Sequence, residues 1–459
     1  MTGFKITGGR KLKGSITTNT SKNGAVCMMV AALLNEGETI LHRIPKIEEV
    51  YRYKELMESM NVEVVWVNEK TKQVAKNSQE EKFYTSLKIK IKKGGINLKK
   101  LDKDVANKIR SFTFVGALIH VFKKFNWPNS GGCKMGERTV AAHKYGLEYF
   151  GIDIKTKESF YEIKWKGKKL ASAESIAMYE SSDTGAVNLL IAAAKIKGET
   201  NIKFAPQNYQ VLDVVYLLEK FGVKVDILAA NTFKITGVEK INCNVEHFNS
   251  EDPIDAMFFI ASCIVTNSNL TIKNSPIDFL ELELEKLKRM NVKFNLSKKY
   301  LSKNGKTNLV DIKIFSRNEN NKNERLVALY DKIHTAPFPA INNDNLPFFV
   351  PIATLAEGIT LIHDWTWENR AIYFMELNKL GADLRLADQH RVYINGVKEL
   401  KANEIVCPPA LRPAAIILVA MLAAKGVSIL RNVYSIKRGY QDIAERLNKI
   451  GAKIEVLKD

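Results

Sequence analysis

Lys197-Gly198-Glu199-Thr200, followed after an amphipathic stretch by Phe221-Gly222-Val223-Lys224-Val225, is the phrase that decides the fold, because the chain repeats it. It runs again from Glu36-Gly37-Glu38-Thr39 to Asn61-Val62-Glu63-Val64, and from Glu357-Gly358-Ile359-Thr360 to Leu380-Gly381-Ala382-Asp383. It closes the sequence from Lys425-Gly426-Val427-Ser428 to Ile450-Gly451-Ala452-Lys453. The two small residues of each copy are separated by 24 (198 to 222), 24 (37 to 61), 23 (358 to 381) and 25 (426 to 451) positions. A looser copy over 268–291 has Ser and Asn in place of Gly, and a sixth is recognisable by its end, Tyr149-Phe150-Gly151-Ile152-Asp153-Ile154. Gly or Asn after the amphipathic helix supplies a left-handed cap, and the residues that follow alternate as a strand. A recurring supersecondary unit of this length is the signature of a repeat-built α/β architecture.

An apolar segment precedes each copy: 24–35, 111–122, 185–196, 256–265, 346–356 and 413–424. These are apolar nearly all round, so they are expected as buried helices. At their N-terminal ends stand Lys22-Asn23, Arg110, Ser181-Ser182-Asp183, Glu251-Asp252, Asp344 and Arg412. Ser, Asp and Asn there are ordinary caps. Lys22, Arg110 and Arg412 are not, because a cation opposes the positive end of the helix dipole. Free N–H groups with added cations make an anion site. The repeats divide three and three near residue 246, with polar insertions at 68–86 and 297–325, the latter expected as a solvated hairpin or loop excursion. The expected fold is therefore α/β in two lobes, with a cleft lined by helix N-termini.

At 459 residues, two domains are the natural expectation. No apolar run approaches the roughly 18 residues needed to span a bilayer. Residues 1–14 carry no apolar core, so no signal peptide and no membrane are expected, and the cytoplasm is the expected compartment. The net charge of +19 comes from 69 Lys+Arg against 50 Asp+Glu. The lysines are scattered through every segment and no nucleic-acid motif accompanies them, so no nucleic-acid partner is expected. The cysteines Cys27, Cys133, Cys243, Cys263 and Cys407 form no CxxC pair and no zinc spacing, so no metal is expected. Four lie in apolar or strand-like surroundings. Cys133 differs, since Gly131-Gly132-Cys133-Lys134 with Arg138 exposes the sulfur beside positive charge, which favours thiolate.

Several segments, in order, resemble the UDP-N-acetylglucosamine enolpyruvyl transferase family and, more distantly, the shikimate-pathway enolpyruvyl transferases. They are Ser21-Lys22-Asn23, the Gly131–Arg138 loop with His143, Thr335-Ala336-Pro337-Phe338-Pro339 with Asp344, Glu368-Asn369-Arg370, Leu411-Arg412 and Lys437-Arg438-Gly439-Tyr440. The resemblance covers essentially the whole chain. It implies two inside-out α/β barrel domains of three βαβαββ-type repeats each, over 22–246 and over 1–21 with 247–459. It implies transfer of the enolpyruvyl group from phosphoenolpyruvate to a hydroxyl of UDP-N-acetylglucosamine, with no cofactor. By resemblance, Lys22, Arg138 and Arg438 bind the phosphate of phosphoenolpyruvate, and Arg370 and Arg412 its carboxylate. Asn23, Arg110, Ser182 and Asp344 serve the acceptor. Cys133 is the acid that protonates C3, Asp344 the base for the acceptor hydroxyl, and Lys22 a third catalytic group. In the family, fosfomycin alkylates the loop cysteine.

Each assignment has a plainer counterpart. Asp344 could be replaced as a cap by Asn342-Asn343, Arg370 could pair with Glu368, and His143, Trp365 and Trp367 read as structural. The chain also departs from the family on the acceptor side. Where the family commonly reads Pro-Val-Asp-Leu-His it has Thr139-Val140-Ala141-Ala142-His143, and where the family reads Lys-x-Ser-x-Gly it has Glu180-Ser181-Ser182-Asp183-Thr184. Two carboxylates facing a diphosphate weaken its binding unless a cation compensates. Ala410 stands where the family has Asp before Leu-Arg. An enolpyruvyl transferase acting on a different hydroxyl acceptor is the alternative reading.

Overall fold

Each sequence repeat becomes the same piece of structure in the computed structural model, which describes residues 3–129, 131, 139–318 and 320–457. In the third repeat, strand Ser175–Ala177 leads into the apolar helix Asp183–Ala194 and strand Gly198–Lys203. The amphipathic helix Tyr209–Lys220 and the hairpin of Lys224–Leu228 with Thr232–Gly237 follow. The short first strand pairs parallel with Gly198–Lys203, which pairs antiparallel with Thr232–Gly237, which in turn pairs antiparallel with Lys224–Leu228.

Four other sheets share that order. In one, Val245–Phe248 takes the parallel edge beside Glu38–His42. In another, Ser15–Thr17 takes it beside Leu270–Pro276. The last sheet is completed from the other end of the sequence, because Gly3–Gly8 lies between Gly426–Arg431 and Ile454–Leu457. The sixth sheet has three strands, Lys124–Pro128, Phe160–Trp165 and Ile152–Thr156.

The chain forms two compact units, a first over 20–131 and 139–250 and a second over 3–19 and 251–457 among the described residues. Strand Val245–Phe248 completes a sheet of the first unit, which therefore reaches residue 250. Each unit has its own core. In the second unit the helix Leu411–Ala423 is buried from Leu411 to Leu422, and Pro253–Val265 is buried along its whole length. Helices lie inside and sheets outside, so each unit is an inside-out α/β barrel.

Close helix packing depends on particular residues. A Cβ on Gly116 would stand 2.3 Å from Asn188 Oδ1 and 2.4 Å from its carbonyl oxygen, so only glycine lets these two buried segments touch. The segment 297–325 forms the expected hairpin, with exposed Tyr300–Leu301 antiparallel to Asn308 and Leu309, but it is not solvated throughout. It holds strand Asn308–Ile314, whose Leu309, Val310, Ile312 and Ile314 are buried and which pairs along Leu270–Pro276. The Asn- and Lys-rich flanks hid a strand with three inward branched residues. Among the described residues no helix is long and apolar enough to cross a membrane.

Candidate active site

In the second unit, helix Leu411–Ala423 starts with neither a capping side chain nor an acidic residue in its first turn. Arg412 occupies that turn and is 4% exposed. Its Nη2 donates to Asp344 Oδ2 at 2.9 Å and its Nη1 to the Tyr440 hydroxyl at 2.8 Å. Burial opposes the charge, but the carboxylate of Asp344, with Tyr440 and Asp252 nearby, outweighs it and holds the guanidinium above its ordinary range. Asp344 keeps 23% of its side chain exposed.

The turn that carries Asp344 is capped by Asn342. Its Oδ1 accepts from the Asp344 backbone N–H at 2.8 Å, and its carbonyl accepts from Asn345 and Leu346. The plainer reading of Asp344 as the cap is thereby replaced. The buried carboxylate of Glu283 fastens the same turn, accepting from Asn345 Nδ2 at 2.8 Å and the Asn342 N–H at 3.2 Å. Burial pushes the Glu283 carboxyl up. Thr335 and Thr366 both hydrogen-bond Asn343 Oδ1, and the indole N–H of half-exposed Trp365 donates to the Thr335 carbonyl.

Arg370 is fully buried and pairs with Asp364, equally buried, rather than with Glu368. The contact is bidentate, Nε to Oδ2 at 2.5 Å and Nη2 to Oδ1 at 2.9 Å. Nη1 of Arg370 has no partner among the described residues. Such a donor, buried and unanswered, costs roughly 1–3 kcal/mol until something accepts from it. Arg438 is half-buried at the C-terminal end of the short helix Tyr434–Lys437. The next residue, Gly439, lies against Leu411, where a Cβ would come within 2.4 Å.

In the first unit, Ser21 caps helix Lys22–Ala31 by accepting from the Gly24 N–H at 2.8 Å, which leaves Lys22 at the first helical position. Gly24 is required there: a Cβ would stand 2.1 Å from Asp213 Oδ2. Asn23 donates to the Tyr209 hydroxyl at 2.9 Å and to Gln210 Oε1 at 3.3 Å. Gln210 and Asn208 each donate at 2.9 Å to Asp183 Oδ2, at the start of helix Asp183–Ala194. Ser182 is the cap of that helix, accepting from Gly185. Arg110 precedes the short helical turn Ser111–Phe114, its carbonyl bonded by Tyr53 and Thr113. These ends converge. Burial pushes the Cys27 thiol up to about 12, helped by Asp183 and Asp213 and opposed by Arg110 and Lys22.

His143 is buried beside this cluster. The Asn188 amide oxygen accepts from Gly116, so its Nδ2 must be the donor to His143 Nδ1 at 3.0 Å. That fixes the neutral tautomer with the proton on Nε2, facing Thr184 Oγ1 at 3.3 Å. Burial holds the imidazole down to about 4. Cys133 and Arg138 lie outside the described residues. Of the other cysteines, Cys27, Cys263 and Cys407 are buried, and burial pushes Cys263 and Cys407 to about 12. No group of acidic, His or Cys side chains among the described residues could hold a metal ion.

The structure thus joins Asp344 to Arg412, and gathers Lys22, Asn23, Arg110 and Ser182 at convergent ends of the first unit. It adds Asp364, Tyr440, Asn208 and Gln210, which sequence reading missed. Tyr440 stands in the Lys437-Arg438-Gly439-Tyr440 motif and Asn208 at a helix start, whereas Asp364, six residues before its partner, carries no sequence signal.

These features define the enolpyruvyl transferase fold. A profile of the EPSP synthase (3-phosphoshikimate 1-carboxyvinyltransferase) family matches residues 6–447. The chain is 31% identical over 454 residues to a UDP-N-acetylglucosamine 1-carboxyvinyltransferase of Treponema denticola, covering 99% of each. It is 29% identical over 466 residues to the one from Borreliella burgdorferi, covering all of both. Among solved structures, the enolpyruvyl transferase NikO from Streptomyces tendae superposes with a TM-score of 0.81 at 20% identity, over 100% of this chain and 99% of that one. EPSP synthase from Acinetobacter baumannii gives 0.71 at 19%, over 100% of both. The chain belongs to the EPSP synthase family of enolpyruvyl transferases. It is an enzyme of the carboxyvinyl transferase class.

Proposed function

We propose that the enzyme transfers the enolpyruvyl group of phosphoenolpyruvate to a hydroxyl of UDP-N-acetylglucosamine and releases phosphate. The observation that carries this reading is likeness over the full length of relatives that bear that activity in their names. The reaction is an addition followed by an elimination. An acid protonates C3 of the enol, C2 becomes electrophilic, and the acceptor oxygen bonds to C2 as a base takes its proton. Loss of a C3 proton and of phosphate from C2 then leaves the enol ether.

Cys133 is the proposed acid. Asp344 is the proposed base, and its partial exposure beside a buried Arg412 suits it to meet a hydroxyl. Arg412 and Arg370 are the proposed carboxylate ligands, since each is a buried guanidinium whose orientation is already set by a carboxylate. Lys22, Arg138 and Arg438 are assigned to the phosphate, with Lys22 also acting in catalysis. Asn23, Arg110 and Ser182 are assigned to the acceptor. The three-repeat domains are taken as 22–246 and as 1–21 with 247–459. The reading places the protein in the cytoplasm, in synthesis of cell-wall precursor, and makes Cys133 the target of fosfomycin.

A second reading, transfer to another hydroxyl acceptor, is favoured by one observation. The N-terminus of helix Asp183–Ala194 carries its own carboxylate, held by Asn208 and Gln210, in a position that would otherwise suit an anion. Phosphate release from phosphoenolpyruvate is the test. It is expected with UDP-N-acetylglucosamine and is expected to vanish in Cys133→Ala. Release with another acceptor alone would select the second reading, and absence of fosfomycin labelling under every ligand condition would remove Cys133 from the mechanism.

A further inference from the structure

We infer that Tyr440 is a positioning residue for the transfer: its hydroxyl fixes which edge of the Arg412 guanidinium meets Asp344. The inference rests on the roles proposed above for Arg412 and Asp344. A guanidinium is planar, so anchoring two of its three nitrogens sets the plane and direction of the third. Here Nη1 is bonded to Tyr440 at 2.8 Å and Nη2 to Asp344 at 2.9 Å, while Nε has no partner among the described residues.

The two anchors differ in kind. Asp344 is 23% exposed and sits on a turn. Tyr440 is 4% exposed, with its ring 5.1 Å from that of Phe258 and 5.5 Å from the Arg412 guanidinium carbon. Behind it, Gly439 packs directly on the Leu411 side chain, where a Cβ would come within 2.4 Å, which sets the Tyr440 segment against the helix that bears Arg412. Tyr440, Arg412 and Asp344 therefore form a line from a buried core ring to a partly exposed carboxylate. Without the hydroxyl, Arg412 keeps its charge and its ion pair but loses its fixed orientation, and a carboxylate ligand would meet a swivelling cation.

Tyr440→Phe removes only the oxygen and keeps the ring. Binding of radiolabelled phosphoenolpyruvate by equilibrium dialysis, KM for each substrate and the melting temperature are the readouts. Affinity for phosphoenolpyruvate is expected to fall about tenfold, the low end for losing a hydrogen bond to a charged group. KM for the acceptor is expected to rise less than KM for phosphoenolpyruvate, because the acceptor meets Arg412 only through Asp344. A folded variant with unchanged phosphoenolpyruvate affinity would overturn the inference. So would one that no longer folds, because the hydroxyl would then serve the core. Wild-type enzyme that binds phosphoenolpyruvate yet releases no phosphate with UDP-N-acetylglucosamine would sink only the acceptor reading. Wild type that binds none would remove the basis of both.

Discussion

The two units handle charge differently. In the second, two arginines are dry and locked: Arg370 on Asp364, and Arg412 between Asp344 and Tyr440. In the first, Lys22 and Asn23 are only half-buried, and amides of Asn23, Asn208 and Gln210 link the neighbouring groups around Asp183. A carboxylate-locked guanidinium offers one geometry. An amide can turn over and exchange donor for acceptor, so such a network adapts to a different ligand with few substitutions. The segments 139–143 and 180–184, which depart from the family pattern, fall in the first unit, where this network lies.

The largest effect should come from breaking the lock that carries chemistry. Asp344→Ala removes the proposed base and is expected to lower phosphate release by about 10²–10⁴-fold. A loss below tenfold would show that the locked region is not the reactive one. Next comes Asp364→Asn, which leaves Arg370 as an uncompensated buried cation and should cost about 3–5 kcal/mol in urea unfolding. Asn208→Ala, in the amide network, should cost only about 0.5–1.5 kcal/mol. Equal losses at the two positions would erase the contrast.

Acid should separate the units as well. In the first unit, burial holds His120 and His143 down to about 4 and His247 to about 3, against an ordinary 6.5. Between those values the unfolded chain binds more protons than the folded one, so stability rises with pH. The contribution is complete above about 6.5 and is lost as pH falls towards 4, at roughly 1–3 kcal/mol for each group. Hydrogen exchange at pH 5 should therefore open first-unit peptides first, and second-unit peptides opening first would contradict this. The smallest effect is expected at Asp183. Changing it to Asn removes a negative charge from a helix N-terminus and should lower KM for a diphosphate acceptor about two- to fivefold. KM for phosphoenolpyruvate should not change, and a shift in both would make Asp183 structural.

Much of this was legible in the sequence because the repeat is local. Gly198 and Gly222, or Gly358 and Gly381, mark each unit by backbone need, and the apolar segments between polar ends announced the buried helices. Partners were less legible. Arg370 has Glu368 close in sequence, yet it bonds Asp364, because the strand Ile359–His363 delivers Asp364 to the core while Glu368 remains exposed. The strand Asn308–Ile314 was masked by polar flanks, and the contact of Asp183 with Asn208 spans 25 residues. Side-chain pairing across such distances is set by packing, which periodicity does not encode.

The most direct measurement incubates the enzyme with phosphoenolpyruvate and UDP-N-acetylglucosamine and follows both products, phosphate by colour and the nucleotide sugar by mass spectrometry. The account predicts equal amounts of phosphate and of a nucleotide sugar heavier by one carboxyvinyl group, both lost in Cys133→Ala. Phosphate release without that product, or neither product at saturating substrates, would contradict it.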